Sequence, residues 1–299
     1  MSRIAAVVVM RPVTAEGAVS LPVRQCLHDH DPEAPLLRVD DLGVTRGDGI
    51  FESISVLEGV PVDLAGHLSR LRRSAELLDL PPLCAPVIEA AVLRAVGACA
   101  GQGRLSVRVV VTRGPENDAE PTAWAAAAPA PDLSGQRRDG VRAVLLDRGL
   151  RADAGSRAPW LLAGVKTLSY AAHSAATREA RRRGADEAVF VSADGFVLEA
   201  PTASVLARFG DRAVTPPEDQ GILPGTTVAR AAGVLASAGV TLQHRPLPAA
   251  ELTGCDGLWL LSSGRRAVPV IELDGRPLPL DRDLTDLLIR NLGPSDALG

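Results

Sequence analysis

Residues 184–205 read GADEAVFVSADGFVLEAPTASV. Apolar residues gather there in two short runs, Glu187–Ser192 and Phe196–Glu199, with Asp194-Gly195 between them. Asp-Gly between two β-prone runs signals a hairpin, because both residues accept the backbone that a tight turn requires. Upstream, residues 168–183 carry a helical pattern that Gly184 ends. Arg178, Arg181, Arg182 and Arg183 cluster toward its C-terminal end, where cations suit the helix dipole and face solvent. A helix feeding a hairpin predicts an α+β or mixed α/β fold, not a doubly wound parallel sheet.

The same reading extends in both directions. Downstream, strands are predicted at 204–208 and 213–215, followed by a helix opening at Gly225-Thr226-Thr227 and running to Gly239. Strands near 240–245, 257–262 and 268–273 and a helix over 281–292 complete that half. Upstream, Arg3 and the apolar run Ile4–Met10 read as a first strand, and 36–65 as strands around Arg46-Gly47-Asp48-Gly49. Helices are predicted from His67 to Asp79, stopped by Pro81-Pro82, and from Pro86 to Ala100, with a strand over 104–113. Residues 125–140 turn from Ala/Pro-rich to polar, as a linker does. Two domains are therefore expected, 1–128 and 141–299, joined by 129–140; residues 153–165 read as a loop carrying Trp160.

A chain of 299 residues is long enough for two buried cores. Its net charge of −4 provides no basic field for nucleic acid. Cys26, Cys84, Cys99 and Cys255 are scattered without Cys-x-x-Cys spacing, which argues against a zinc site or a disulfide framework. No apolar run approaches the roughly 20 residues of a membrane span. A soluble, cytoplasmic protein without a metal site is expected.

Lysine usage carries more information. Of 32 Lys plus Arg, only Lys166 is a lysine. Where composition replaces Lys with Arg wherever a cation suffices, a surviving lysine marks a place where guanidinium fails. Arginine keeps its proton, whereas a desolvated lysine can become a neutral, nucleophilic amine. Chance survival of one surface lysine is the competing reading. Lys166 stands just before the 168–183 helix, and the only tyrosine, Tyr170, follows four residues later. Tyr170 reads either as a half-buried aromatic or as a cofactor or substrate contact.

Other residues fit the same chemistry. Glu199 lies between Leu198 and Ala200-Pro201. A carboxylate among apolar neighbours either seeks a partner, for which a protonated pyridine nitrogen would serve, or ends its strand facing water. Gly225-Thr226-Thr227 present free amides and hydroxyls at a helix start, a phosphate-binding geometry as well as a common cap. Arg70, three residues after His67, supplies a cation able to clamp a phosphate.

In order and spacing these segments resemble the class IV aminotransferase family, the fold-type IV pyridoxal-phosphate enzymes, from about Leu36 to Asp274. The matching pieces are RGDGIFESISV (46–56), HLSRL (67–71), VKTLSY (165–170), 184–205, TPPEDQGILPGTT (215–227) and SSGRRAVPVIELDG (262–275). The resemblance implies a D-amino acid aminotransferase-like fold and pyridoxal 5'-phosphate as cofactor. It makes Lys166 the Schiff-base lysine and catalytic base, Glu199 the partner of the pyridine nitrogen, and Arg70 the phosphate arginine. Gly225, Thr226 and Thr227 then hold the phosphate at the helix start, with Ser263 beside it. Arg108 falls where branched-chain aminotransferases place a substrate-side arginine; a structural salt bridge is the alternative. Strand alternation puts it on one face with Ser106 and Val110. A homodimer and a small amine substrate are implied as well.

Departures narrow the reading. Ala200 follows Glu199 where glycine is usual, Val228 replaces an arginine, and Ser169 replaces an asparagine. No Arg-x-His follows Thr112-Arg113-Gly114, although D-amino acid aminotransferases trap the substrate carboxylate with one there. The first expectation is therefore 4-amino-4-deoxychorismate lyase, releasing 4-aminobenzoate and pyruvate as in folate biosynthesis. The alternative is an amino-acid aminotransferase of branched-chain or D-amino acid type.

Overall fold

The computed structural model describes residues 4–118 and 120–293, so Arg3 and the outermost ends of the two expected domains lie outside the described residues. The chain divides into two units at Pro131/Asp132, and the first unit also takes Val165–Ser169 from the later sequence. The stretch predicted as a linker is largely structured, since a strand ends at Pro129 and a helix spans Ser134–Asp139. The alanine-rich strand lacks intrinsic β preference and is held by pairing on both of its edges.

The first unit is one antiparallel sheet of six strands: Ala6–Met10 (β1), Leu27–His30 (β2), Gly49–Leu57 (β3), Val60–Pro61 (β4), Leu105–Thr112 (β5) and Ala123–Pro129 (β6). Their order is β2-β1-β6-β5-β3-β4. In β3 the period of two is plain: Ile50, Glu52, Ile54 and Val56 are buried, while Phe51, Ser53 and Ser55 are partly exposed. The helix Leu64–Leu77 packs on β3 and buries His67, Leu71, Ser74 and Ala75, the spacing of one helical face. A second helix, Ala85–Gly97, buries Val87, Ile88, Ala91, Val92 and Ala95 and packs against β1, β5 and β6. Residues 42–45, predicted as strand, form a helical turn instead. Asp41 caps it by accepting from the Gly43 amide at 2.8 Å.

The second unit carries a mixed sheet: Val141–Asp147 (β7), Glu187–Val191 (β8), Ser204–Phe209 (β9), Arg212–Thr215 (β10), Thr241–His244 (β11), Gly257–Ser262 (β12), Arg266–Leu273 (β13) and Arg276–Pro277 (β14). The order is β11-β10-β9-β12-β13-β7-β8, with β14 on β13. The pairs β10–β11, β13–β7 and β7–β8 are parallel and the others antiparallel, so the fold is mixed α/β as expected. Both faces are buried. Ala207, Leu258, Leu260 and Val268 enter one core, and Leu206, Trp259, Leu261 and Ala267 the other.

The helices Thr226–Ser237 and Arg282–Asn291 close the second core with Val228, Ala231, Leu235, Leu284 and Leu288. Burying each leucine contributes about 1.5–3 kcal/mol. Trp259 donates its indole N–H to Thr285 Oγ1 at 2.8 Å, which satisfies the polar atom of a fully buried ring. The helix Ala171–Arg182 lies on β7 and β8. The predicted hairpin closes through the Ser192 amide donating to Phe196 O at 2.8 Å. Its second arm is bridged rather than a continuous strand, because Val197 N turns to Leu247 O, 2.8 Å away. Among the described residues no helix is long and apolar enough to cross a membrane.

Candidate active site

Lys166 is fixed by its main chain. Gly164 (φ +81°) turns the chain just before it, where an added Cβ would lie 2.8 Å from Ile222 O. Phe51 N then donates to Lys166 O at 3.0 Å, and Leu168 N to Gly49 O at 2.8 Å. Thr167 bridges Ile50, and Lys166 N reaches Ser74 Oγ at 3.3 Å. The segment therefore runs along β3. Its hydrogen bonds are spent on that strand, so the helix predicted from 168 begins only at Ala171. The half-buried Lys166 side chain puts Nζ 4.6 Å from the centroid of the Phe51 ring. An amine over an aromatic face is partly desolvated, as a nucleophile requires.

Arg70 lies on the helix Leu64–Leu77, one turn before Ser74. Its Nε and Nη2 donate to the two oxygens of Glu52, at 2.6 and 2.9 Å. His67 Nδ1 lies 2.8 Å from Glu52 Oε2, and both Glu52 and His67 are buried. Burial alone would push the Glu52 carboxyl up; the hydrogen bonds from His67 and Arg70 outweigh it and hold the pKa at about 2. Arg108 stands exposed on β5 opposite Ser53, with its guanidinium carbon 5.6 Å from the Phe51 ring centroid. It makes no ion pair among the described residues and shares the sheet face of Phe51.

In the second unit Glu199 is held among buried neighbours, with Leu198 and Ala200 each 1% exposed. Its Oε2 accepts from the Leu223 amide at 3.2 Å, and its Oε1 is 3.7 Å from Arg148 Nη1. Arg148 also donates to Gly221 O at 3.2 Å, joining Glu199 to the loop that leads into Gly225. Gly225 caps the helix Thr226–Ser237 without any side-chain hydrogen bond. A Cβ on it would meet Ser204 Oγ at 2.5 Å and Val228 Cγ2 at 2.9 Å, so a larger residue would make Ser204 or the helix start shift. Thr226 is half-buried and Thr227 buried beside first-turn amides that have no intrahelical acceptor.

Ser263 sits half-buried in the tight turn that closes β12 on β13. Tyr170 precedes the helix Ala171–Arg182 and stacks on His173, with centroids 4.4 Å apart and planes at 15°. His173 in turn meets Phe190 edge-on at 5.7 Å.

The first unit thus groups Lys166, Arg70 and Arg108 around β3, and the second gathers Glu199 with the loop leading to the Gly225–Thr227 helix start. Within the first unit the amine is of the kind that bonds an aldehyde and the guanidinium of the kind that pairs with a phosphate; within the second the carboxylate suits a protonated ring nitrogen, and the helix-start amides and hydroxyls suit an anion. Sequence reasoning missed Phe51, Glu52, Ser74 and Arg148. The available signal was Glu52 alternating with Ile50 and Ile54, a buried acid that needs a cation.

Residues 49–273 match the family model described as amino-transferase class IV. A bifunctional aminodeoxychorismate lyase / D-amino acid transaminase of Mycobacterium tuberculosis is 44% identical over 260 residues, covering 83% of this chain and 89% of that protein. A fold IV-transaminase from Curtobacterium pusillum aligns with a TM-score of 0.91 at 42% identity, over 96% of this chain and 98% of its own. The PLP-bound form of a hypothetical aminotransferase from Mycobacterium tuberculosis gives 0.85 at 38% identity, over 96% and 97%. On the match across most of its length, the chain belongs to the class IV aminotransferase family.

Proposed function

We propose that this chain is an amino-acid aminotransferase in which Lys166 both anchors pyridoxal phosphate and moves the substrate α-proton. The observation that carries the reading is that the only side-chain amine of the chain is pinned to β3 with Nζ over Phe51. When bound, the cofactor supplies an electron sink for the bond broken at the substrate α-carbon. Lys166 takes the proton released there and returns it. Glu199, oriented by the Leu223 amide and Arg148, holds a proton at the ring nitrogen. Arg70, Ser263 and the helix start at Gly225, Thr226 and Thr227 bind the phosphate. Arg108, exposed beside Phe51, receives the substrate carboxylate, and Tyr170 contacts the cofactor.

The sequence alone favoured the lyase; two similarities shift the weight toward transamination. The fold IV-transaminase covers nearly the whole chain, and the bifunctional relative is itself a D-amino acid transaminase. Aminodeoxychorismate lyase remains the second reading, carried by the other half of that relative's description and by the missing Arg-x-His after Gly114. We further place the protein in the cytoplasm as a homodimer, consistent with its scattered cysteines and the prevalence of two-fold assemblies; a fully active monomer in light scattering would remove the dimer.

Borohydride reduction and peptide mapping test the anchor: a phosphopyridoxyl mass on the Lys166 peptide is expected, and labelling confined to the N-terminal amine would sink it. Branch choice is read in one cuvette. A transaminase converts the bound cofactor to its amine form with a single amino acid and turns over only with a keto acid. The lyase forms 4-aminobenzoate and pyruvate from aminodeoxychorismate with no keto acid added, and that result alone would favour the second reading.

A further inference from the structure

A fully buried carboxylate is costly, and a fold keeps one only where its partners compensate. Glu52 is 0% exposed, on the face of β3 turned toward the helix Leu64–Leu77. Both its oxygens are engaged by Arg70, through Nε at 2.6 Å and Nη2 at 2.9 Å, and Oε2 also meets His67 Nδ1 at 2.8 Å and the Ser53 amide at 3.2 Å. The adjacent residue on the opposite face, Phe51, packs under Lys166 Nζ. One turn after Arg70 on the same helix, Ser74 accepts from the Lys166 amide. One strand and one helix therefore hold both the amine and the guanidinium.

We infer that Glu52 is a positioning residue for the cofactor phosphate, fixing the plane of Arg70 through a bidentate ion pair that His67 completes. This rests on the assignment of Arg70 to the phosphate. A long arginine side chain gives up considerable rotamer freedom when it binds an anion. Here Glu52 has already removed that freedom: the guanidinium is clamped along one edge, so its plane and reach are set before an anion arrives. His67 fixes the carboxylate from a third direction, which keeps Glu52 from following Arg70 if the arginine swings. Glutamine in its place would present an amide N–H to a guanidinium N–H, break the bidentate pair and free Arg70 to rotate.

The test compares two aldehydes on the apoenzyme, pyridoxal phosphate and pyridoxal, which lacks the phosphate. The ratio of their dissociation constants isolates the phosphate contribution, and a general loss of structure would weaken both alike. In Glu52→Gln the preference for pyridoxal phosphate should fall about 10- to 100-fold, the range of a lost charge-assisted hydrogen bond. The phosphorus resonance of the bound cofactor should also shift. Adding Glu52→Gln to Arg70→Ala should cost nothing more, since Glu52 acts only through Arg70. If Glu52→Gln does not fold, Glu52→Asp reads the same ratio: its charge remains but the carboxylate is withdrawn by one methylene, and an intermediate fall is expected. An unchanged ratio in the Glu52 variant that folds, with a reduced ratio in Arg70→Ala, overturns the inference. An unchanged ratio in Arg70→Ala overturns instead the assignment of Arg70 to the phosphate.

Discussion

The two units hold their polar groups by different means. In the first, the guanidinium is held by side chains, since Glu52, itself held by His67, grips Arg70, while Phe51 lies under the Lys166 amine, whose segment is paired to β3. In the second, the main chain does most of the holding. Glu199 is oriented by the Leu223 amide, and the helix start at Gly225 offers amides rather than a charged side chain. The contrast predicts different kinds of fragility. A group held by side chains is lost when one partner is substituted, whereas a group held by main chain survives side-chain changes and fails when the backbone is displaced.

The largest effect belongs to Lys166. Lys166→Arg keeps the charge over Phe51 but supplies no amine that can bond to an aldehyde carbon. Turnover should fall by at least about 10⁴-fold, the upper range for a general acid–base group, with the covalent role lost in addition. Circular dichroism should stay native, and retention of a tenth of the activity would end the mechanism.

Glu199→Gln comes next. With no charge opposite the ring nitrogen, turnover should drop by about 100-fold while the cofactor stays bound. Arg148→Met sharpens the comparison, because the Leu223 amide still orients Glu199. A loss within about tenfold is expected for a partly exposed pair at 3.7 Å. Equal losses in the two variants would show that the arginine, not the main chain, holds the carboxylate.

Two buried glutamates with opposite shifts, Glu52 in the first unit and Glu187 in the second, give a third test. Glu52 has a pKa held at about 2, below the usual 4.5, so it contributes stability that is complete above 4.5 and lost as pH falls toward 2. The shift corresponds to about 3 kcal/mol. Glu187 is the opposite case: burial pushes its carboxyl up despite its contact with Arg265, so its folded form favours the proton. Stability assigned to Glu187 therefore declines as pH rises from 4.5 through its raised value. Denaturant midpoints should show the gap between wild type and Glu52→Gln closing toward pH 2. The gap between wild type and Glu187→Gln should move the other way, and parallel trends would break the comparison.

The smallest effect tests the main chain directly. In Gly225→Ala the new Cβ meets Ser204 Oγ at 2.5 Å and Val228 Cγ2 at 2.9 Å. Displacing the helix start should lower stability by about 1–2 kcal/mol and weaken pyridoxal phosphate severalfold. Ser204→Gly in the same chain removes the nearer clash and should restore part of both. Full cofactor affinity in Gly225→Ala would show that the helix start does not bind the phosphate.

Much of this was legible beforehand because it depends on local chemistry. The helix Thr226–Ser237 and the strands β5, β9 and β12 match their predicted spans closely, since periodicity and flanking glycine or proline carry that information. Two of the misread stretches have hydrogen bonds that go to distant partners. Residues 166–168 pair with β3, and the arm containing Val197 pairs near Leu247.

The amino-acid sequence by itself determined that one residue, Lys166, can supply a side-chain amine, and that Glu199 and the Gly225 helix start accompany it in family order. These follow from residue identity and short-range spacing, which need no folded coordinates. The tertiary structure decided that Lys166 lies over Phe51 and that Arg70 is clamped by Glu52, 18 positions earlier. Whether a strand glutamate faces solvent or a buried arginine depends on which helix covers that strand. Only the packed chain determines that, because desolvation and ion pairing act through space rather than along the sequence.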